Sequence, residues 1–177
     1  VLRELAIMIQ LLRAGDPGMP KFDYATTLRC IGQDLERRGL KCFNVRCEGK
    51  DYIAQCGYQE PPAPTPVTIY YRPADIAELD KSGAEKRGKV SPSKDFLNQA
   101  QIFRTIGGYL DKNEARLIRL ANNQSAAKDA TLVVEYINRD REHVVDDRTG
   151  SAIYDLCVAM YKQRGKLTGT GGGRGRR

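Results

Sequence analysis

Five cysteines, one histidine and a spread of carboxylates are the residues of this 177-residue chain with the means to do chemistry. Cys30, Cys42, Cys47 and Cys56 fall in one stretch, but structural zinc draws its ligands in tight pairs such as Cys-x-x-Cys, and the chain has no such pair. Alternation along an extended strand sends Cys42 and Cys47 to opposite faces. Cys47 and Cys56 then share an apolar face with Phe43 and Val45, where small buried thiols are expected. His143, with Glu142, Asp146 and Asp147 beside it, has the composition of a general base or a carboxylate metal site. On a strand only His143 and Asp147 of this group share a face, with Val145 between them, so a solvated strand and turn is expected instead. Gly169-Thr-Gly171 and its glycine-rich continuation lack the preceding strand and following helix that a phosphate-binding loop requires. The sequence therefore predicts no cofactor and no metal, and leans away from an enzyme. A divalent metal on Glu142, Asp146 and Asp147 is the form an enzyme would take.

Charge gives a second kind of candidate. The net charge is +7. Lys162, Arg164, Lys166, Arg174, Arg176 and Arg177 supply six of the 29 basic residues, which leaves 23 against 22 acids in the rest of the chain. Residues 162–177 read as a flexible basic Gly/Arg tail, able to contact phosphates without sequence preference. A second cluster, Asn44, Arg46, Gln55, Tyr70 and Arg72, falls on the polar side of three expected strands. Sheets that bind single-stranded nucleic acid combine such cations and amides with an aromatic platform. The nucleic-acid candidates are thus Arg46, Tyr70 and Arg72 on the sheet and Arg174, Arg176 and Arg177 in the tail. The competing reading is a protein-interaction module that dimerises through an N-terminal helix carrying Leu2, Leu5, Ile9 and Leu12 on one stripe. Pro61 and Pro64 form a PxxP pattern, which reads as a connector of polyproline type.

The elements that must position these residues are legible in part. Asp23 caps a helix with Tyr24, Leu28, Ile31 and Leu35 at helical spacing, and Gly39 ends it. Cys42–Cys47 and Tyr52–Gly57 form a hairpin about Gly49 and Lys50, with Cys47 opposite Tyr52, Val45 opposite Ala54 and Phe43 opposite Cys56. Val67–Arg72 reads as a third strand, and Pro73 opens a short helix that closes at Gly83. A helix carrying Phe96, Ala100, Phe103 and Ile106 is expected to stop at Gly107-Gly108. Asp111 and Glu114 have capping-box spacing before a further helix with Leu117, Ile118 and Leu120. Thr131–Ile137 is a strand, His143–Asp147 its partner, and Ile153, Leu156, Cys157, Met160 and Tyr161 mark a last helix.

Runs of strands and helices rather than strict alternation imply an α+β protein, with antiparallel sheet of about five strands against several helices. One domain is expected over 1–161, with two lobes meeting near residues 84–92 and no convincing internal repeat. No stretch reaches the roughly 18 to 20 apolar residues of a membrane helix. Val1–Arg13 lacks the features of a signal peptide. An odd cysteine count suits reduced thiols, so a cytoplasmic, membrane-free setting is expected.

Overall fold

The structure, a computed structural model, describes residues 22–58, 66–85, 99–123 and 131–169. In chain order these form α1 (Tyr24–Arg37), β1 (Leu40–Glu48), β2 (Asp51–Tyr58), β3 (Val67–Tyr71), α2 (Pro73–Glu85), α3 (Gln99–Lys112), β4 (Arg116–Asn123), β5 (Thr131–Ile137), β6 (His143–Asp146) and α4 (Asp147–Gly169). The strands make one six-stranded antiparallel sheet in the order β3-β2-β1-β4-β5-β6. The protein is α+β, as its composition of elements implies. Its hydrophobic core draws on all four helices and on a single face of the sheet.

Local chemistry accounts for the elements expected from sequence. Asp23 caps α1 by accepting from the Thr26 amide at 2.7 Å. Leu28, Ile31 and Leu35 are fully buried, each contributing roughly 1.5–3 kcal/mol through removal from water. Gly39 then takes φ +68°, the left-handed geometry that ends a helix at low cost. The β1–β2 hairpin pairs Cys47 with Tyr52 and Val45 with Ala54, and Gly49 sits at φ +64°.

Phe43 departs from the expected alternation. A bulge between Cys42 and Asn44 shifts the ladder by one residue, so Cys42 and not Phe43 lies opposite Cys56. Phe43 is exposed, while Cys42 and Val45 both point into the core. On the other side of α1, Arg29 is largely buried against α2 in an ion pair with Asp80 at 2.5 Å.

Larger corrections fall in the second half. α3 does not stop at Gly107-Gly108; it runs to Lys112. A Cβ on Gly107 would lie 2.4 Å from the Tyr24 carbonyl oxygen, so that glycine permits a helix crossing rather than a break. The helix ends instead at Glu114, left-handed at φ 51°, with Ala115 N–H reaching the Leu110 carbonyl. The next element is strand β4, not the further helix expected around Leu117, Ile118 and Leu120. α4 continues to Gly169, so the stretch expected to be tail from residue 162 begins as helix. Its predicted apolar stripe is only half used: Ile153 and Cys157 are buried, Leu156 and Met160 exposed.

The passage of α3 through Gly107 and the strand β4 share a context, because the chain contains a repeat. The order α-β-β-β-α occurs twice, and β1 and β4 meet at the centre of the sheet. α1 and α3 are both 14 residues long. Aligned from their first residues, Ala25, Arg29, Ile31, Gly32 and Leu35 meet Ala100, Arg104, Ile106, Gly107 and Leu110. Gly39 then corresponds to Glu114, and both are left-handed. The bulge at Phe43 corresponds to one between Leu117 and Arg119. Along the central ladder Asn44 pairs with Ala121 and Arg46 with Arg119, relations that interchange under a two-fold rotation. Val45 and Leu120 face each other on the axis.

The two-fold also governs the helix crossing. Gly32 lies against the backbone of Ala100, and Gly107 against Tyr24 and Ala25. Asp111 accepts from the amides of Tyr24 and Ala25, each at 3.0 Å. Glu36, its counterpart, accepts from the Ala100 amide at 3.4 Å. Each helix thus caps the other's N-terminus with a carboxylate, where the helix dipole favours one. The counterparts Tyr24 and Gln99 likewise reach across, to the amides of Leu117 and Cys42.

Candidate functional site

The face of the sheet turned away from the core presents one row of side chains across all six strands. Paired residue by residue it reads Tyr70, Ile53, Arg46, Arg119, Glu135, Val145. At the usual strand spacing the row spans about 24 Å. Both ends are apolar and open, with Tyr70 66% and Val145 60% exposed. Ile53, only 4% exposed between Tyr70 and Arg46, floors one half of it. The neighbouring row carries Thr68, Gln55, Asn44 and Ala121.

Two arginines occupy the middle. Arg46 and Arg119 are cross-strand partners next to the two-fold axis, and each side chain is about two-fifths exposed. Like charges placed directly opposite on a sheet are destabilising. Each is held through its Nε alone: Arg46 by Glu48 at 3.0 Å, Arg119 by Glu135 at 3.1 Å. Their terminal guanidinium nitrogens have no partner among the described residues. Beside them Asn44 donates to Gln55 at 3.4 Å, and its buried Oδ1 has no partner among the described residues. A pair of forked donors over a partly apolar floor matches the demands of an oxyanion flanked by planar groups.

Of the sequence-derived candidates, Arg46 and Tyr70 meet in this row. Arg72 does not join them: just past the end of β3, it bonds Asp75 through Nε at 3.4 Å and through its own amide at 2.8 Å, closing the start of α2. Arg174, Arg176 and Arg177 lie outside the described residues, as do the N-terminal stripe of Leu2, Leu5, Ile9 and Leu12 and the Pro61–Pro64 connector. Arg119 is missed by sequence periodicity, which favours a helix over its segment. Its signal is the repeat, since position 119 corresponds to Asn44.

The other constellations resolve into structure. The bulge turns Cys42 to the same side as Cys47, against the expected parity, yet the thiols are packing groups. Hydrogen bonding to Cys56 and burial hold the Cys42 proton firmly. Burial pushes the Cys30 and Cys47 thiols up to about 11. Asp146 caps α4, accepting from the Thr149 amide at 2.8 Å and from its hydroxyl. Glu142 accepts from Asn138 in the β5–β6 turn, and His143 Nε2 lies 2.7 Å from Glu135. Asp147 begins α4 rather than closing on His143. No group of three or more potential metal ligands comes together among the described residues. A depression of about 340 Å³ between the end of α3 and the β5–β6 turn is crossed by an Arg139–Glu114 ion pair at 3.3 Å. No helix among the described residues is long and apolar enough to cross a membrane. Comparison with family models, curated proteins and solved structures returned no match.

Proposed function

We propose that this protein binds single-stranded nucleic acid on the open face of its sheet. The observation that carries the reading is the Arg46–Arg119 pair, two forked cations set side by side in a row that ends in an exposed tyrosine. A bound strand would lay phosphate on the central guanidinium groups and a base on Tyr70, with Ile53 beneath the sugar and base edges. Stacking on one aromatic is worth about 1–3 kcal/mol per base, whatever the base. Arg174, Arg176 and Arg177 would add a non-specific electrostatic arm, and Arg72 would contribute only from the margin.

Fluorescence-anisotropy titrations with single-stranded and duplex oligonucleotides at two salt concentrations test this. Binding should survive truncation after Gly169. Arg46→Ala and Arg119→Ala should each lower the logarithmic salt slope by about 0.7, the value of one phosphate contact on a single strand. Tyr70→Ala should weaken binding with the slope unchanged. Binding that vanishes with the tail, or ignores all three substitutions, would refute a site on the sheet.

A further inference from the structure

The seam between the two halves has the form of an isologous dimer interface, in which residue i of one side meets residue j of the other and j meets i. Gly32 with Ala100 and Gly107 with Ala25, Glu36 with the Ala100 amide and Asp111 with the Ala25 amide, Gln99 with the Cys42 amide and Tyr24 with the Leu117 amide are three such reciprocal sets. Independent elements packed within one chain have no reason to repeat their contacts in pairs. We infer that the chain is two joined α-β-β-β-α units, 22–85 and 99–169, each the other's association partner, and that its binding face exists only when they associate.

Three features argue for the association. A lone half would present the β1 or β4 edge as unpaired backbone donors and acceptors. It would also uncover the crossing faces of α1 or α3 at Gly32 or Gly107, and it would lose the carboxylate that the other half lends to the start of its first helix. All of these are met by the other half. The composite face comes from the same ladder. Arg46 belongs to one unit and Arg119 to the other, so neither half alone can assemble the pair.

The pattern of difference between the units supports the same division. Most positions where the helices cross are retained in both, Ala25 and Ala100, Gly32 and Gly107, the acids Glu36 and Asp111, while Tyr24 and Gln99 differ in kind. Positions on the open face have diverged: Asn44 against Arg119, Arg46 against Ala121. Gln55 and Glu135, equivalent by their pairing with Asn44 and Arg119, differ too. A symmetric seam therefore carries an asymmetric face, which suits a ligand with direction, such as a single strand, better than a palindromic duplex.

The test uses the full chain with a site-specific protease sequence inserted between Gly88 and Lys89, the uncut protein serving as the folding control. After cleavage the fragments should co-elute at the mass of the intact chain. Their melting temperature should rise with protein concentration, whereas that of the uncut chain should not. Glu36→Ala with Asp111→Ala should weaken the association of the cut fragments about tenfold or more, given the usual worth of a helix cap. A 20-nucleotide single strand at 100 times its Kd should tighten that association about a hundredfold; this arm rests on the proposed nucleic-acid binding. Fragments that elute apart as folded species would overturn the inference, as would one fragment that binds the oligonucleotide as tightly as the intact chain. Co-elution with no oligonucleotide binding by the intact chain would overturn the reading of the open face while leaving the association of the halves standing.

Discussion

Arg46 and Arg119 stand directly opposite each other across the β1–β4 ladder, each tethered through Nε to a carboxylate of its own half. An arrangement that opposes two like charges costs about 0.2–1 kcal/mol relative to a neutral pair. The half-exposed ion pairs to Glu48 and Glu135 return about as little. Arg46→Ala should therefore leave the melting temperature unchanged or slightly raised, while the nucleic-acid affinity proposed for the open face falls about tenfold, as loss of one charge-assisted contact implies. A clear drop in thermal stability would mean that the arginines serve the sheet rather than a ligand.

The adjacent glycines of α3 separate two roles that look alike in the sequence. At Gly107 a methyl group would meet the backbone of Tyr24 and Ala25 at 2.4–2.5 Å, which no rotamer change can relieve. Gly107→Ala should cost several kcal/mol, about the size of an overpacked core or more. At Gly108 nothing lies within 4 Å, so Gly108→Ala should stabilise by about 0.5–1 kcal/mol through helix propensity. Urea melts of the two variants decide it, and shifts of the same sign would contradict the crossing of α1 and α3 at Gly107.

Why a glycine pair that reads as a stop lies inside a helix is a physical matter. Helix α1, the β1–β2 hairpin and strand β3 are legible in sequence because their determinants are local: the Asp23 cap, the Gly49 turn, the alternation at Val45 and Ala54. The bulge at Phe43, the passage of α3 through Gly107 and the existence of β4 depend on the other half of the molecule. By spacing alone Asp111 reads as a cap for the segment after it, whereas it caps α1, far away in sequence. The repeat itself is hard to see because the halves agree mainly where they touch. Tyr24 and Gln99 perform one task with different chemistry. Half of the candidate site, Arg46 and Tyr70, is visible from strand parity, but Arg119 needs the topology.

Alkaline pH should destabilise the protein. Burial pushes the Cys30 and Cys47 thiols up to about 11 from an ordinary 9.0. It also raises the Tyr136 phenol to about 12 from 10.0, aided by Tyr109. Tyr71 is raised as well, first by burial and then by donating to Asp34 at 2.9 Å. Raised values mean that the folded state holds protons the unfolded state releases. The stability they represent is complete below pH 9 and is lost as pH climbs through the folded values. Melting temperature should thus decline steadily from pH 9 to 11, and a flat profile there would place these groups in contact with water.

The left-handed residues that end α1 and α3 offer a last comparison between the halves. Gly39 at φ +68° fits its position without strain, while Glu114 holds φ 51° with a side chain that disfavours it. Glu114 also forms an exposed ion pair with Arg139 at 3.3 Å, which contributes little. Glu114→Gly should relieve the left-handed penalty and stabilise by about 0.5–1 kcal/mol. Gly39→Ala should destabilise by about 1–2 kcal/mol, because it imposes that same penalty on the first half. The two substitutions move each half toward the other's solution at one equivalent site, so chemical denaturation should give opposite signs. Equal signs would mean that the two helix ends are not equivalent, and the two-fold relation would fail where the helices hand over to the central strands.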